Sequence, residues 1–374
     1  MRIRELWAEG WRNLEPLRLA PGEHLSVLFG DNGQGKTNVL ESVYYLAALR
    51  SFRTTHADDL IRRGGQAGRA RLRAEVEHRG LDRRFEIELS AVGRQARLDG
   101  KSVRSTAAAL GAVSVVLFVP EDLLLSRSAP VARRRFLDLA IFNVERGYYG
   151  EASAFQKVLK NRNALLRQGA SDPRFPTFPT LLDTYDHELA RTGARVVTRR
   201  RALVAALEPR FKDHFRALHG DLPVSLTYRS APEVECAGDE ATLAEALERG
   251  LASRRALDLR RRFTGFGPQV DDLEIGFSGT LARSVASQGQ LRSLMLALKL
   301  AELTHVEACL GDPPVLLLDD VPSELDPSRR GLLFEVIAAL DCQTLISVTE
   351  REIVPALADR RDFFVQGGVV APVV

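Results

Sequence analysis

The residues in this chain with most chemistry to offer are Gly30, Asp31, Asn32, Gly33, Gln34, Gly35, Lys36 and Thr37, followed by Asn38. A glycine, four variable positions and then Gly-Lys-Thr is the full phosphate-loop pattern, and each fixed residue has a task. The glycines let backbone N–H groups turn inward on phosphate oxygens, and the helix start behind them adds positive potential. Lys36 would reach the β- and γ-phosphates of a nucleotide, and the Thr37 hydroxyl would hold Mg²⁺. A glycine-rich turn that merely precedes a helix is the alternative.

Two further groups could complete such a site. Pro314-Val315-Leu316-Leu317-Leu318-Asp319-Asp320 is an apolar run suited to a buried parallel strand, and it ends in two carboxylates. Parallel sheets bind ligands at the carboxyl ends of their strands, so both acids would face Lys36. Asp319 is then the direct or indirect Mg²⁺ partner of Thr37, and Asp320 is placed to orient or deprotonate an attacking water. Alone, two acids after a strand would mean a helix cap or a turn. Ser287-Gln288-Gly289-Gln290 opens an apolar helix carrying Leu291, Leu294, Met295 and Leu298. A hydroxyl, free N–H groups and the positive end of the dipole can form a second anion site there, or Ser287 can simply cap the helix.

The flanking elements suit these roles. Leu25 to Phe29 reads as a buried strand into the loop, and Asn38 to Leu49 carries apolar residues at helical spacing. Ile3 to Ala8 and Leu17 to Leu19 read as strands, with turn signals at Gly10, Asn13 and Pro21-Gly22. Alternation between Ala70 and Leu98 predicts antiparallel sheet with one wet face, and Val113 to Val119 a strand buried on both faces that stops at Pro120. From Glu121 to Arg262 the pattern turns helical, most clearly over Arg134 to Arg146, Tyr149 to Gln168 and Leu181 to Leu218. The segment from Ser171 to Pro179 separates the last two, Val224 to Tyr228 reads as a lone strand, and Glu240 to Arg262 as another helix. Sheet pattern resumes at Leu273 to Phe277. Gly265 and Gly267 make no dinucleotide fingerprint, because the third glycine is missing and Pro268 follows. The expected organisation is an α/β nucleotide-binding head with a mixed parallel and antiparallel sheet. Its N-terminal lobe is residues 1–120, an inserted, mainly helical arm is 121–264, and the C-terminal lobe is 265–374.

Composition narrows the class. A chain of 374 residues exceeds the roughly 250 to 300 at which single cores stop growing, so two domains, or one with a large insertion, are expected. Cys236, Cys309 and Cys342 lie far apart, so neither a disulfide framework nor a zinc site is indicated. Met1 to Glu5 lacks the apolar core of a signal peptide and no run approaches the roughly 18 apolar residues of a membrane span, so a cytoplasmic location is expected. The net charge of +3 does not by itself announce nucleic-acid binding. Triplets at Arg133 to Arg135, Arg199 to Arg201 and Arg260 to Arg262 could contact phosphates or be solvated helix faces. His214 and His219 do not share a helix face, which argues against a metal site between them.

Taken together, the phosphate loop, the Ser-x-Gly-Gln helix start, the strand with paired acids and Ser323-Glu324-Leu325-Asp326 resemble the ABC-type ATPase heads of chromosome-maintenance and DNA-repair proteins. More narrowly, the chain resembles the RecF family. Further motifs in order are Trp11-Arg12-Asn13-Leu14, Leu40-Glu41, Ser51-Phe52-Arg53, Pro120-Glu121-Asp122-Leu123 and Arg133 to Asp138. The resemblance implies a weak, DNA-dependent ATPase that forms an ATP-induced dimer, with Ser287, Gly289 and Gln290 of one copy covering the nucleotide held by Lys36 of the other. It places Asp326 in a loop crossing that interface. It also implies binding to duplex DNA and single-strand gap junctions, and work with the mediators RecR and RecO to load RecA.

Three departures matter. The family pattern Gly-Pro-His-Arg-Asp-Asp is here Gly267-Pro268-Gln269-Val270-Asp271-Asp272, so no His-Arg role carries over. Thr349 stands where many ABC ATPases place a histidine, which speaks against a transporter subunit. Asp320 is one methylene shorter than the usual glutamate, which predicts slow hydrolysis, below about 10 s⁻¹. The alternatives are a transporter's ATPase subunit and a scaffold that binds nucleotide without meaningful hydrolysis.

Overall fold

A computed structural model describes residues 1–54, 56–62, 68–78, 80–103, 113–169, 178–356 and 359–373. Chain contacts divide it into two compact units, Met1–Leu124 with Arg292–Val374, and Leu125–Leu291.

The first unit holds two six-stranded sheets. Strands β1 (Arg2–Glu9), β2 (Leu17–Leu19), β4 (Arg69–His78), β5 (Leu81–Ser90), β6 (Gly93–Leu98) and β7 (Lys101–Ser102) form an antiparallel sheet in the order β2-β1-β4-β5-β6-β7. Alternation decides its inner face: Ala70, Leu72, Ala74 and Val76 are buried, while Arg69 and Arg71, which alternate with the first two, are exposed to water.

The second sheet runs β15-β14-β3-β13-β12-β8, built from β3 (Leu25–Phe29), β8 (Val115–Phe118), β12 (Val315–Asp319), β13 (Thr344–Val348), β14 (Arg360–Gln366) and β15 (Val369–Val373). From β14 to β8 all pairings are parallel, and β15 folds back antiparallel on β14. Its central strands are apolar almost throughout because both faces are covered, as parallel sheets require. The register aligns Asp319 with Ser347, and Ser347 with Leu28. Helix α1 (Lys36–Ala48) leaves the phosphate loop and packs against both sheets.

The second unit is mainly helical, with α2 (Pro130–Val144), α3 (Tyr148–Gly169), α4 (Phe178–His219) and α5 (Glu240–Arg261). Most of the separator at 171–179 lies outside the described residues. The unit also holds β9 (Val224–Arg229), β10 (Asp272–Phe277) and β11 (Thr280–Leu281). Here one expectation is corrected. Val224 to Tyr228 is no lone strand, and the chain does not return to the head at 265. β9 pairs antiparallel with β10, so the sheet pattern resuming at Leu273 completes the arm's own three-stranded sheet, and this unit runs on to Leu291. Period-two alternation reports a half-buried strand but not which sheet it joins. Helix α6 (Gln288–Leu310) spans the boundary and α7 (Pro327–Ala339) follows β12. No helix among the described residues is long and apolar enough to cross a membrane.

Candidate functional site

The phosphate loop turns between β3 and α1 on three positive-φ glycines, Gly30 at 140°, Gly33 at 79° and Gly35 at 120°. At Gly30 a Cβ would sit 2.4 Å from the Val365 carbonyl oxygen, so the loop lies against β14 too closely for any side chain. Opposite, Gly367 N–H donates to Gln34 Oε1 at 2.7 Å and Gly368 N–H to the Gln34 carbonyl at 2.9 Å, which ties the loop to the β14–β15 hairpin. Lys36 Nζ folds back inside the loop, donating to the carbonyls of Gly30 at 2.6 Å and Asp31 at 2.8 Å. Burial lowers the Lys36 pKa, opposed by the charges of Asp320, Asp319 and Asp31.

The two acids stand at the end of β12. Thr37 Oγ1 donates to Asp319 Oδ1 at 2.8 Å, so 282 positions of sequence separation close to one hydrogen bond. Burial raises the Asp319 pKa, while hydrogen bonds from Ser347 and Thr37 and the charge of Arg53 work the other way. A hydroxyl and a carboxylate this close are the hard oxygen donors that Mg²⁺ takes alongside phosphate oxygens, so these residues fit the ion. Asp320 has left-handed backbone, φ 55°, donates its N–H to the Ser347 carbonyl on β13 at 3.0 Å, and accepts the Ser323 hydroxyl on Oδ1 at 2.6 Å.

Ser347 is the residue that sequence reasoning missed. Its Oγ donates to Asp319 Oδ1 at 2.6 Å. The available signal was a polar residue in the otherwise apolar strand Leu345-Ile346-Ser347-Val348, fully buried in the fold.

Motifs cited only for the resemblance converge around α1. Trp11 Nε1 donates to the Asn38 carbonyl at 3.1 Å, and Asn38 Nδ2 to Asn13 Oδ1 at 2.6 Å. Arg12 forks onto the fully buried Glu41 carboxylate with two bonds of 2.7 Å. Ser51 Oγ reaches the same carboxylate at 2.5 Å, and Arg53 Nη1 donates to Asn38 Oδ1 at 2.8 Å.

Ser287, Gly289 and Gln290 belong to the second unit, and Lys36, Thr37 and Asp319 to the first. Ser287 Oγ accepts from Gln290 N–H at 3.2 Å and Gln290 Oε1 from Ser287 N–H at 2.8 Å, a reciprocal capping box that leaves Ser287 exposed. Asp326 caps α7 through Arg329 N–H at 3.1 Å and pairs with the Arg329 side chain. The arginine triplets divide. Arg133 is buried in a fork on Asp272, and Arg200 is buried against Asp138 and the Pro268 carbonyl, so both are structural cations. Arg260 to Arg262 are exposed at the end of α5.

A phosphate loop on β3, acids on the next strand but one of a parallel sheet, and an antiparallel sheet beside them define an ABC-type ATPase head. The RecF/RecN/SMC N terminal domain family matches residues 2–361. The DNA replication and repair protein RecF of Anaeromyxobacter sp. (strain Fw109-5) is 41% identical over the whole of both chains, and that of Myxococcus xanthus (strain DK1622) 40% identical over 99% of this chain and 97% of that one. A solved structure of the recombination mediator protein RecF-ATPrS in the RecFOR pathway superposes with a TM-score of 0.91 at 28% identity, covering 100% of this chain and 98% of that one. The chain belongs to the RecF family of DNA replication and repair proteins. The transporter alternative falls with that membership.

Proposed function

We propose that this protein is an ATP-dependent DNA-binding protein of recombinational repair and replication-fork maintenance, in which ATP closes two copies on duplex or gapped DNA and slow hydrolysis releases them. The observation that carries the reading is the meeting of Thr37 and Asp319 at 2.8 Å beside a lysine held within its loop. The names of the relatives support the cellular role, and the RecFOR pathway of the solved relative supports action alongside RecO and RecR in loading RecA in the cytoplasm.

In this mechanism the N–H groups of Gly30 to Thr37 bind the phosphates and Lys36 supplies positive charge at the transferred group. Thr37 and Asp319 would hold Mg²⁺, which supplies neutralisation of developing phosphate charge. Asp320 orients the attacking water or takes its proton. Its short side chain and its bond to Ser323 suit slow turnover. The helix start at Ser287 of a second copy completes the phosphate contacts, with Asp326 in the loop between the copies.

The test is DNA binding by the purified protein over a salt series, with and without ATP. The slope counts phosphate contacts and the ATP effect measures coupling. Duplex affinity indifferent to ATP, for the protein as it stands and for Asp320→Asn, overturns the reading.

A further inference from the structure

Glu41 lies four residues after Thr37 on α1, on the same side of the helix. Its carboxylate is wholly buried, which is costly unless every oxygen is paired. Arg12 supplies two bonds and Ser51 Oγ a third. Ser51 Oγ in turn accepts the N–H groups of Arg53 at 2.9 Å and Thr54 at 3.0 Å, so the backbone of the Arg53 turn hangs on one hydroxyl anchored to Glu41. Phe52 packs edge-on against Tyr44 of the same helix, 5.4 Å between ring centres. Beyond this buried anchor Arg53 itself is exposed, bonded to Asn38 next to Thr37 and close enough to Asp319 to favour its charge. A buried ion pair adds little net stability over an apolar replacement, so its use here is geometric.

We propose that Glu41 and Ser51 are positioning residues that fix the Arg53 turn beside the phosphate loop, and that ATP turnover depends on them through Arg53. The inference rests on the nucleotide-site reading above. A guanidinium held at the loop's mouth meets phosphate charge without reorganising, whereas one on a slack turn must first be ordered.

The test is a double-mutant cycle with Ser51→Ala, Arg53→Ala and the pair, reading turnover at saturating ATP and affinity for a fluorescent ATP analogue. Ser51→Ala should lower turnover about tenfold, as expected from a small displacement of a charged group, with analogue affinity changed less than about threefold. Added to Arg53→Ala it should lower turnover no further. Glu41→Gln, which keeps the shape and loses the charge, carries the same cycle should Ser51→Ala fail to fold. Parental turnover in both Ser51→Ala and Glu41→Gln, or losses that multiply with Arg53→Ala, overturns the proposal. A parent protein that binds no ATP overturns the functional reading instead.

Discussion

Thr37 Oγ1 and Ser347 Oγ converge on a single atom, Oδ1 of Asp319, at 2.8 and 2.6 Å. The two hydroxyls come from different halves of the chain, and the strand register that sets Asp319 opposite Ser347 makes the meeting possible. Ser347 therefore orients the carboxylate, and Thr37 shares with it the oxygen face that would take Mg²⁺ on the proposed reading. Asp319→Asn should reduce turnover by about 10²- to 10³-fold, the usual cost of removing a charge-stabilising group. Ser347→Ala should cost about 10-fold in Mg²⁺ affinity, as for other groups that orient a ligand. Equal nucleotide binding with and without Mg²⁺ in the parent would remove the basis for both.

Gly30→Ala should be far more damaging than its size suggests. The position combines φ 140° with a Val365 carbonyl oxygen 2.4 Å from where the new carbon would sit. Strain of about 1 to 3 kcal/mol from the backbone adds to the clash, so a lowered melting temperature and weakened ATP binding should appear together. Gly33→Ala, where a Cβ meets nothing within 4 Å, should lose only the backbone component. Equal melting temperatures for the two variants would refute the close approach to β14.

Much of this site was legible in the sequence because a phosphate loop is a local object. The backbone turn, the lysine and the helix start are consecutive, and spacing alone identifies them. Asp319 was legible because an apolar strand ending in acids has one natural place in a parallel sheet. Ser347 was not, since its importance depends on which strand lies between β3 and β12, and periodicity carries no strand order. β10 was assigned to the wrong unit for the same reason. Arg133 and Arg200 looked like surface charge until the fold supplied Asp272 and Asp138 as buried partners from distant positions.

The loop that departs from the family pattern makes stability depend on pH. Burial pushes the Asp271 carboxyl up to about 6, against the hydrogen bond from Tyr228 and the charges of Arg200, Arg134 and Arg201. The folded chain keeps that proton up to about pH 6, while an unfolded one releases it near 3.8, so folding takes up a proton in between and stability falls as pH rises through this window. Asp271→Asn should flatten the fall by an amount of order 1 kcal/mol, read as a melting temperature that gains on the parent between about pH 4 and pH 7. A parent that grows more stable than the variant over the same range would show the carboxylate to be paired after all.

The exposed capping box at Ser287 bears on whether the nucleotide is shared between two copies. Ser287 stays exposed while it caps the start of α6, and on the proposed reading its hydroxyl and the positive end of the helix dipole would meet a phosphate brought by another copy. If Asp320 handles the attacking water as proposed, Asp320→Asn should slow hydrolysis and sediment as a dimer with ATP and as a monomer without it. Ser287→Arg on that background should keep ATP binding through Lys36 yet remain monomeric. The decisive arm mixes two variants that should each be inactive on the proposed reading, Lys36→Met and Ser287→Arg. If the site is composite, a mixed dimer pairs the intact Lys36 of one chain with the intact Ser287 of the other, and part of the parental turnover returns. If each chain works alone, mixing restores nothing, and the shared site is refuted.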